Sequence, residues 1–523
     1  MRLVASVLCF VSLGTRAVGA EAQGDDGTCA VGEACGRPKH GGSPRYPWPH
    51  ARGRPDSMSR SSYPGPKNLT TSLAWTWTSP HGPGALIFAA GPLIDDRLNI
   101  YVQTTAEIFK LTPEGTTVWK RTSRSRMGDT GSIADGAYFT SEGGNPLTGV
   151  KGGVVSLSMA TGEELWRTPF ESIGGDIGAV TAQDGYVVAS VGSSSHGGSA
   201  WVVALNATTG EQVWDFMPSR PLWNFVPSFP GDGTMLFQTE NGDAYRVRMK
   251  DGSVVWQVIR DGISWTDGGC ILGPNKVLYA VHAEGHLDKL GPGQKSDLSA
   301  YQVSDGRLLW RYHYDTPPNS WATFMPRSDG SFALLFPYAG QAHASPVLEV
   351  YGWLPASLPV FVYKGIWQLY MALGEWGPSV FSAFLLGRKW KMPWPGGVTA
   401  FEPDSGKVLW EWKVPDWNRP EVKGDDSLLW ARLVGMSVNL GQTMCVPNPW
   451  ASPTVDVDGT MFIGWQDGKI YAVREVNSVG KEVDRFETPS AFSHPGLAIA
   501  PGMMAVTNCN TLYVFKDPSF KAA

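Results

Sequence analysis

A few of the segments joining one β-rich unit of this chain to the next hold side chains able to do chemistry. They contain Asp129, Asp176, Trp223-Asn224, Trp265-Thr266-Asp267, Trp321, Trp450 and His494. Carboxylate and amide oxygens are what a hard divalent cation such as calcium takes as ligands. Tryptophan rings offer plates on which a planar molecule can stack. Asp129, Asp176 and Asp267 also fit as turn or solvated residues, and His494 as a structural surface histidine. Other chemistry finds no pattern: no glycine-rich phosphate loop follows a strand, and there is no HExxH, nucleophile elbow or zinc-spaced Cys/His cluster. The many Asp-Gly pairs are turn signals. Whether the scattered residues form a site depends on the elements that gather them.

Those elements repeat. VVSLSMATGEELW, VVALNATTGEQVW, AYRVRMKDGSVVW, LSAYQVSDGRLLW and VTAFEPDSGKVLW align without gaps at a turn-Gly-x-x-x-Trp end. Their tryptophans are Trp166, Trp214, Trp256, Trp310 and Trp410; IFKLTPEGTTVW adds Trp119, and Phe486 takes the tryptophan slot of a weaker copy. Each copy follows a short apolar run after a turn, such as DGAYFTS or DGTMFIGW. Alternating apolar residues with turns every eight to twelve positions predict antiparallel strands.

Most tryptophan spacings lie between 42 and 54 residues, the length of one four-stranded propeller blade. The ends supply the rest. MMAVTNCNTLYVFKD gives early strands without a last one, and SLAWTWTSP gives a last strand without a blade before it. Pairing the two removes free sheet edges. The expected fold is all-β: an eight-bladed β-propeller over residues 71–517, closed by N- and C-terminal strands, with 518–523 as a tail.

The Ala-x-Thr-Gly-Glu-x-x-Trp runs resemble the repeats of quinoprotein-alcohol-dehydrogenase-like propellers, the pyrroloquinoline quinone (PQQ) repeat. The resemblance covers roughly residues 72–517 outside the insertions. It implies that the repeated tryptophans are structural, packing between blades. It also implies two functional alternatives. Enzymes of the family hold PQQ and calcium at one mouth of the ring, with an aspartate base. Non-catalytic members, such as the propeller of the bacterial outer-membrane barrel-assembly machinery, act as scaffolds. For the first alternative the cofactor candidates are Trp223, Asn224, Trp265, Asp267, Trp321 and Trp450, with PQQ and Ca2+ as cofactors. This chain lacks the adjacent-cysteine disulfide and the Cys-x-x-Cys-His haem site of some of the enzymes.

Two insertions interrupt the repeat, at about 340–395 in blade six and about 415–444 after it. The first contains GIWQLYMALGEWGPSVFSAFLLG, with Glu375 as its one formal charge. Pro359 and Pro378 predict two helices, 360–376 and 379–389. The first is apolar nearly all round, which suits burial or lipid. Ile366, Trp367, Tyr370, Trp376, Phe381, Phe384 and Leu385 are the expected contacts with a membrane surface or a protein partner. A third reading is an intramolecular cap on the propeller.

Residues 1–20 read as a signal peptide, with Arg2, an apolar run from Leu3 to Leu13, and Val18-Gly19-Ala20 for cleavage. Within 21–70, residues 36–67 carry seven Lys/Arg against one Asp and are rich in Pro and Gly, the composition of a flexible linker. Cys29 and Cys35 are close enough for a small disulfide loop, and Cys445 with Cys509 is a second pairing. Asn68 and Asn206 begin glycosylation sequons. A net charge of −5 argues against nucleic-acid binding. The expected protein is an exported scaffold of the secretory pathway or extracellular space, without a cofactor. The alternative is a PQQ- and calcium-dependent dehydrogenase of alcohols or sugars.

Overall fold

The described residues form eight antiparallel sheets, seven of four strands and one of three. This computed structural model describes residues 46–54, 56, 58–80, 91–104, 107–123, 130–144, 149, 151–170, 179–194, 198–262, 264, 266, 269–283, 296–316, 320–340, 393–419, 422–424 and 450–517. Single positions between 359 and 380 are also described. All of these belong to one compact unit, Pro38–Ala523.

Blade two shows the plan: Ser132–Ala134, Ala137–Glu142, Gly152–Ser158 and Glu164–Phe170, paired in that order. Buried strands come first and a strand of mixed exposure comes last, as a radial sheet stack demands. Blade four is the three-stranded sheet, and Ser228 makes one isolated bridge to Leu236 in place of a regular inner strand. In the eighth sheet Leu73–Thr78 pairs antiparallel with Thr511–Lys516, from opposite ends of the chain. Adjacent blades share apolar cores throughout. Phe109 and Leu111 of blade one pack with Ala498 and Leu512 of blade eight, and Trp410 of blade six with Tyr471 of blade seven.

The repeat has a physical role at each blade interface. Trp119, Trp166, Trp214, Trp256 and Trp310 each donate the indole N–H to a backbone carbonyl of the next blade, at Met159, Ala207, Met249, Val303 and Pro403, over 2.6–3.0 Å. Trp410 donates instead to the Glu475 carboxylate at 2.8 Å. Each ring also lies on the glycine of the next blade's turn. At Gly210 (φ +76°) a Cβ would stand 2.6 Å from the Trp166 ring, so the residue must be glycine for both conformation and space. Phe486 has no N–H to give, and its ring meets Phe515 edge-on at 5.3 Å.

The structure corrects the reading of 21–70 as a flexible linker throughout. Residues 46–54, 56 and 58–65 form a hairpin inside the ring. Trp48 pairs with Ile94 and His50 with Ser132, antiparallel to the inner strands of blades one and two. Arg60 pairs with Val455 of blade seven in parallel, and Ser61 Oγ donates to Ile499 O of blade eight. Tyr46, Trp48, His50, Arg52, Ser59 and Ser61 are buried. The hairpin therefore enters where inner strands end and turns back near their start, where Ser59 N–H donates to Arg52 O at 3.2 Å. Asn68 then caps the short helix Leu69–Ser72.

Both insertions leave from neighbouring roots. Gly340 N–H donates to Pro395 O at 2.9 Å, and Trp394 and Trp417 exchange backbone hydrogen bonds at 2.8 and 2.9 Å. Between the roots Phe361, Val362, Gly365, Ile366, Gln368, Leu369 and Val380 have helical backbone, and Phe361 is 73% exposed. Among the described residues no helix is long and apolar enough to cross a membrane.

Candidate functional site

The inner strands line the ring's axis, and the segment entering each from the preceding blade meets the axis at one rim. Trp321 stands two residues before the inner strand Thr323–Pro326 and is buried. Trp450 precedes Thr454–Val455 and is also buried. Its indole N–H donates to Tyr338 O at 3.0 Å and its ring lies 4.1 Å from that of Trp465, so it belongs to the core between blades six and seven. The Trp321 and Trp450 segments adjoin, for Ser320 Oγ donates to Trp450 O at 3.5 Å. Trp223 is half-buried and Asn224 buried with a left-handed φ of +53°, beside the blade-three and blade-four core.

Several expected residues lie outside the described ones: Trp265, Asp267, Asp129 and Asp176, and the side chain of His494. Among the insertion contacts Ile366 is described, half-buried; Trp367, Tyr370, Trp376, Phe381, Phe384 and Leu385 are not. Cys509 is disulfide-bonded and Cys270 is a free buried thiol; Cys29, Cys35 and Cys445 lie outside the described residues. Asn68 and Asn206 both have exposed side chains.

The groups that occupy the axis come from the hairpin, and sequence reasoning missed them. Arg52 Nε donates to Ser59 Oγ at 3.2 Å and Nη2 to Ala322 O at 2.7 Å. Its guanidinium lies 5.3 Å from the centroid of the Trp321 ring, a cation–π arrangement. Burial pulls the Arg52 guanidinium down to about 9. Burial, with the Arg52 charge beside it, lowers His50 to about 3 and keeps it neutral. Burial pushes the Cys270 thiol up to about 12. The one hint in the sequence was the pair of aromatics, Tyr46 and Trp48, inside an otherwise linker-like stretch.

A calcium–quinone pair needs oxygen ligands and an open aromatic face. The described side chains at this rim supply a cation, a neutral imidazole and a thiol, and the Trp321 face carries Arg52. A divalent cation beside a buried guanidinium is repelled. The described residues do not fit that pair here.

A family model described as "Outer membrane protein assembly factor BamB" matches residues 150–323. No curated protein matches the sequence. Among solved structures, BamB from Moraxella catarrhalis is 12% identical with a TM-score of 0.52, covering 85% of this chain and 99% of that one. Quinohemoprotein alcohol dehydrogenase from Comamonas testosteroni is 13% identical with a TM-score of 0.57, covering 90% and 80%. A europium-containing methanol dehydrogenase is 14% identical with a TM-score of 0.55, covering 91% and 99%. At these identities the likeness is one of fold. Repeat and blade interfaces agree with the matches: the chain is an eight-bladed β-propeller whose residues 150–323 match the PQQ-repeat family model and whose fold is that of the quinoprotein dehydrogenases and BamB.

Proposed function

We propose that this protein is an exported, non-catalytic propeller that serves as a protein-binding or assembly scaffold. The observation that carries the reading is the hairpin 46–65, which fills the axis that a cofactor would need. The match to an outer membrane protein assembly factor over residues 150–323 supports it. Export follows from residues 1–20, read as a signal peptide, with glycans on Asn68 and Asn206 and a disulfide between Cys29 and Cys35. Pairing of Leu73–Thr78 with Thr511–Lys516 closes the ring.

The partner surface is the helical insertion of blade six, which meets a membrane or a membrane-bound protein. The exposed Phe361 and Leu369 support that role, because the propeller's own blades already bury their apolar faces. Membrane flotation of the full chain, and of a chain lacking residues 345–392, tests it. The full chain floats and the shortened one does not; if both stay soluble and monomeric, the insertion is a cap on the propeller.

The dehydrogenase neighbours favour a second reading, a PQQ- and calcium-dependent oxidation of alcohols or sugars. Purified protein mixed with PQQ and Ca2+ distinguishes the two. Quinone absorbance with alcohol-dependent dye reduction overturns the scaffold; neither signal appears if the hairpin holds the axis.

A further inference from the structure

The hairpin meets the ring as an added strand meets a sheet edge. Along its first arm Trp48 and Ile94 of blade one exchange backbone hydrogen bonds at 3.3 and 3.0 Å, and Ile133 N–H of blade two donates to Pro49 O at 2.8 Å. Along its second arm Val455 N–H donates to Ser59 O at 3.0 Å, Ser61 N–H to Val455 O at 2.8 Å and Val457 N–H to Tyr63 O at 3.2 Å. These three bonds are a short parallel ladder on blade seven. Peptides that add a strand to an exposed edge bind in this way: the backbone supplies affinity and side-chain pockets supply selectivity. The pockets are here too. Trp48 lies in one cluster with Ile94, Ile100 and Val102. Arg52 rests on Trp321 and donates to Ala322 O at 2.7 Å, and the Arg60 guanidinium lies 4.7 Å from the centroid of the Phe332 ring.

Both arms use the same rim. Gly136 N–H, in the turn after the inner strand Ser132–Ala134, donates to the Tyr46 hydroxyl at 3.2 Å. Gly65 N–H donates to the Asp456 carboxylate at 2.9 Å, just after the inner strand Thr454–Val455. A U-shaped segment held this way can leave and re-enter a closed ring without an end being threaded through it. Its link to the rest of the chain is exposed at Lys67 and Asn68. Docking takes His50 and Arg52 out of water, and burial raises the carboxyl of Asp56, which acts on the Arg52 charge. Burying ionisable groups offsets part of the apolar gain, so the segment is held less tightly than its buried area implies.

We propose that the axial channel is a peptide-binding site of the strand-addition kind, with residues 46–65 as its built-in ligand, and that the same segment of a second copy can take their place. The peptide that fits is extended, with an aromatic residue four positions before an arginine, as Trp48 stands before Arg52. The site rests on the pairing of the hairpin with blades one, two, six and seven, so it stands whether the propeller is a scaffold or an enzyme.

The test uses the full chain with a specific protease site inserted between Lys67 and Asn68, folded first and cut afterwards. The probe is a fluorescein-labelled synthetic peptide of residues 46–65. The severed segment is expected to stay with the ring through gel filtration, and excess labelled peptide to replace it saturably. A peptide carrying Trp48→Ala and Arg52→Ala should compete about tenfold more weakly or worse. A severed segment that never exchanges, a ring that loses it and takes up no peptide, or a scrambled peptide that binds equally well overturns the proposal. Should cutting unravel the ring, the labelled peptide is expected to restore its fold, and failure to do so overturns the proposal too. None of these outcomes depends on flotation or on quinone binding, so the site and the scaffold reading fail separately.

Discussion

The guanidinium of Arg52 rests 5.3 Å from the centroid of the Trp321 ring, with 1% of each residue exposed. The pair joins the turn of the N-terminal hairpin to the start of blade six. Desolvated cation–π pairs are worth about 2 kcal/mol. A double-mutant cycle with Arg52→Met and Trp321→Leu should give a coupling of about 1–2 kcal/mol by chemical denaturation. Simple additivity would reduce the contact to packing.

The indole N–H of Trp214 donates to Met249 O at 2.6 Å across the interface of blades three and four. Trp214→Phe keeps most of the ring and leaves that carbonyl without its donor. The expected loss is about 1–3 kcal/mol. Trp201→Phe is the control, because Trp201 is among the exposed hydrophobics and makes no such bridge. It should change stability by under about 0.5 kcal/mol. Equal losses at the two sites would mean that ring volume, and not the hydrogen bond, matters.

Gly210 and Gly136 both have positive φ, at +76° and +83°. A Cβ on Gly210 would meet the Trp166 ring at 2.6 Å, whereas one on Gly136 meets nothing within 4 Å. Gly136→Ala should cost about 1 kcal/mol from backbone strain alone. Gly210→Ala adds the displacement of a blade tryptophan, bringing the loss to about 2–4 kcal/mol. The difference measures how tightly each repeat glycine receives the tryptophan before it.

Glu240 sits between two strands of blade four, with its Oε2 buried and unpartnered, and burial raises its carboxyl to about 7 against the opposing pull of Arg220. A folded pKa above the unfolded 4.5 means the folded state holds the proton more tightly. The associated stability is full below pH 4.5 and is lost as pH rises through about 7. Glu240→Gln should remove that fall, gaining roughly 1–2 kcal/mol on the wild type at pH 7.5 after allowance for solvent screening. Unfolding at pH 5 and pH 7.5 checks it; parallel curves for the two proteins at both pH values would contradict the assignment.

Sequence alone determined the repeat. Gly-x-x-x-Trp, alternating apolar strands and Asp-Gly turns act within a dozen residues. Such local rules carried the strand order, the propeller fold and the slots of Trp119, Trp166, Trp214, Trp256, Trp310 and Trp410. Even the pairing of Leu73–Thr78 with Thr511–Lys516 was legible, because each end lacked the strands the other had. Only the tertiary structure decided what occupies the axis. Residues 46–65 have the composition of a disordered segment, and their partners are remote: Arg52 meets Ala322 at a separation of 270 residues and Ser61 meets Ile499 at 438. Trp450 likewise read as a plate at the mouth, yet packs against Trp465 inside the core. Composition reports what a segment can bury by itself. A channel lined by the inner segments of the blades offers burial, hydrogen-bond partners and a buried cation's aromatic support that no local pattern encodes.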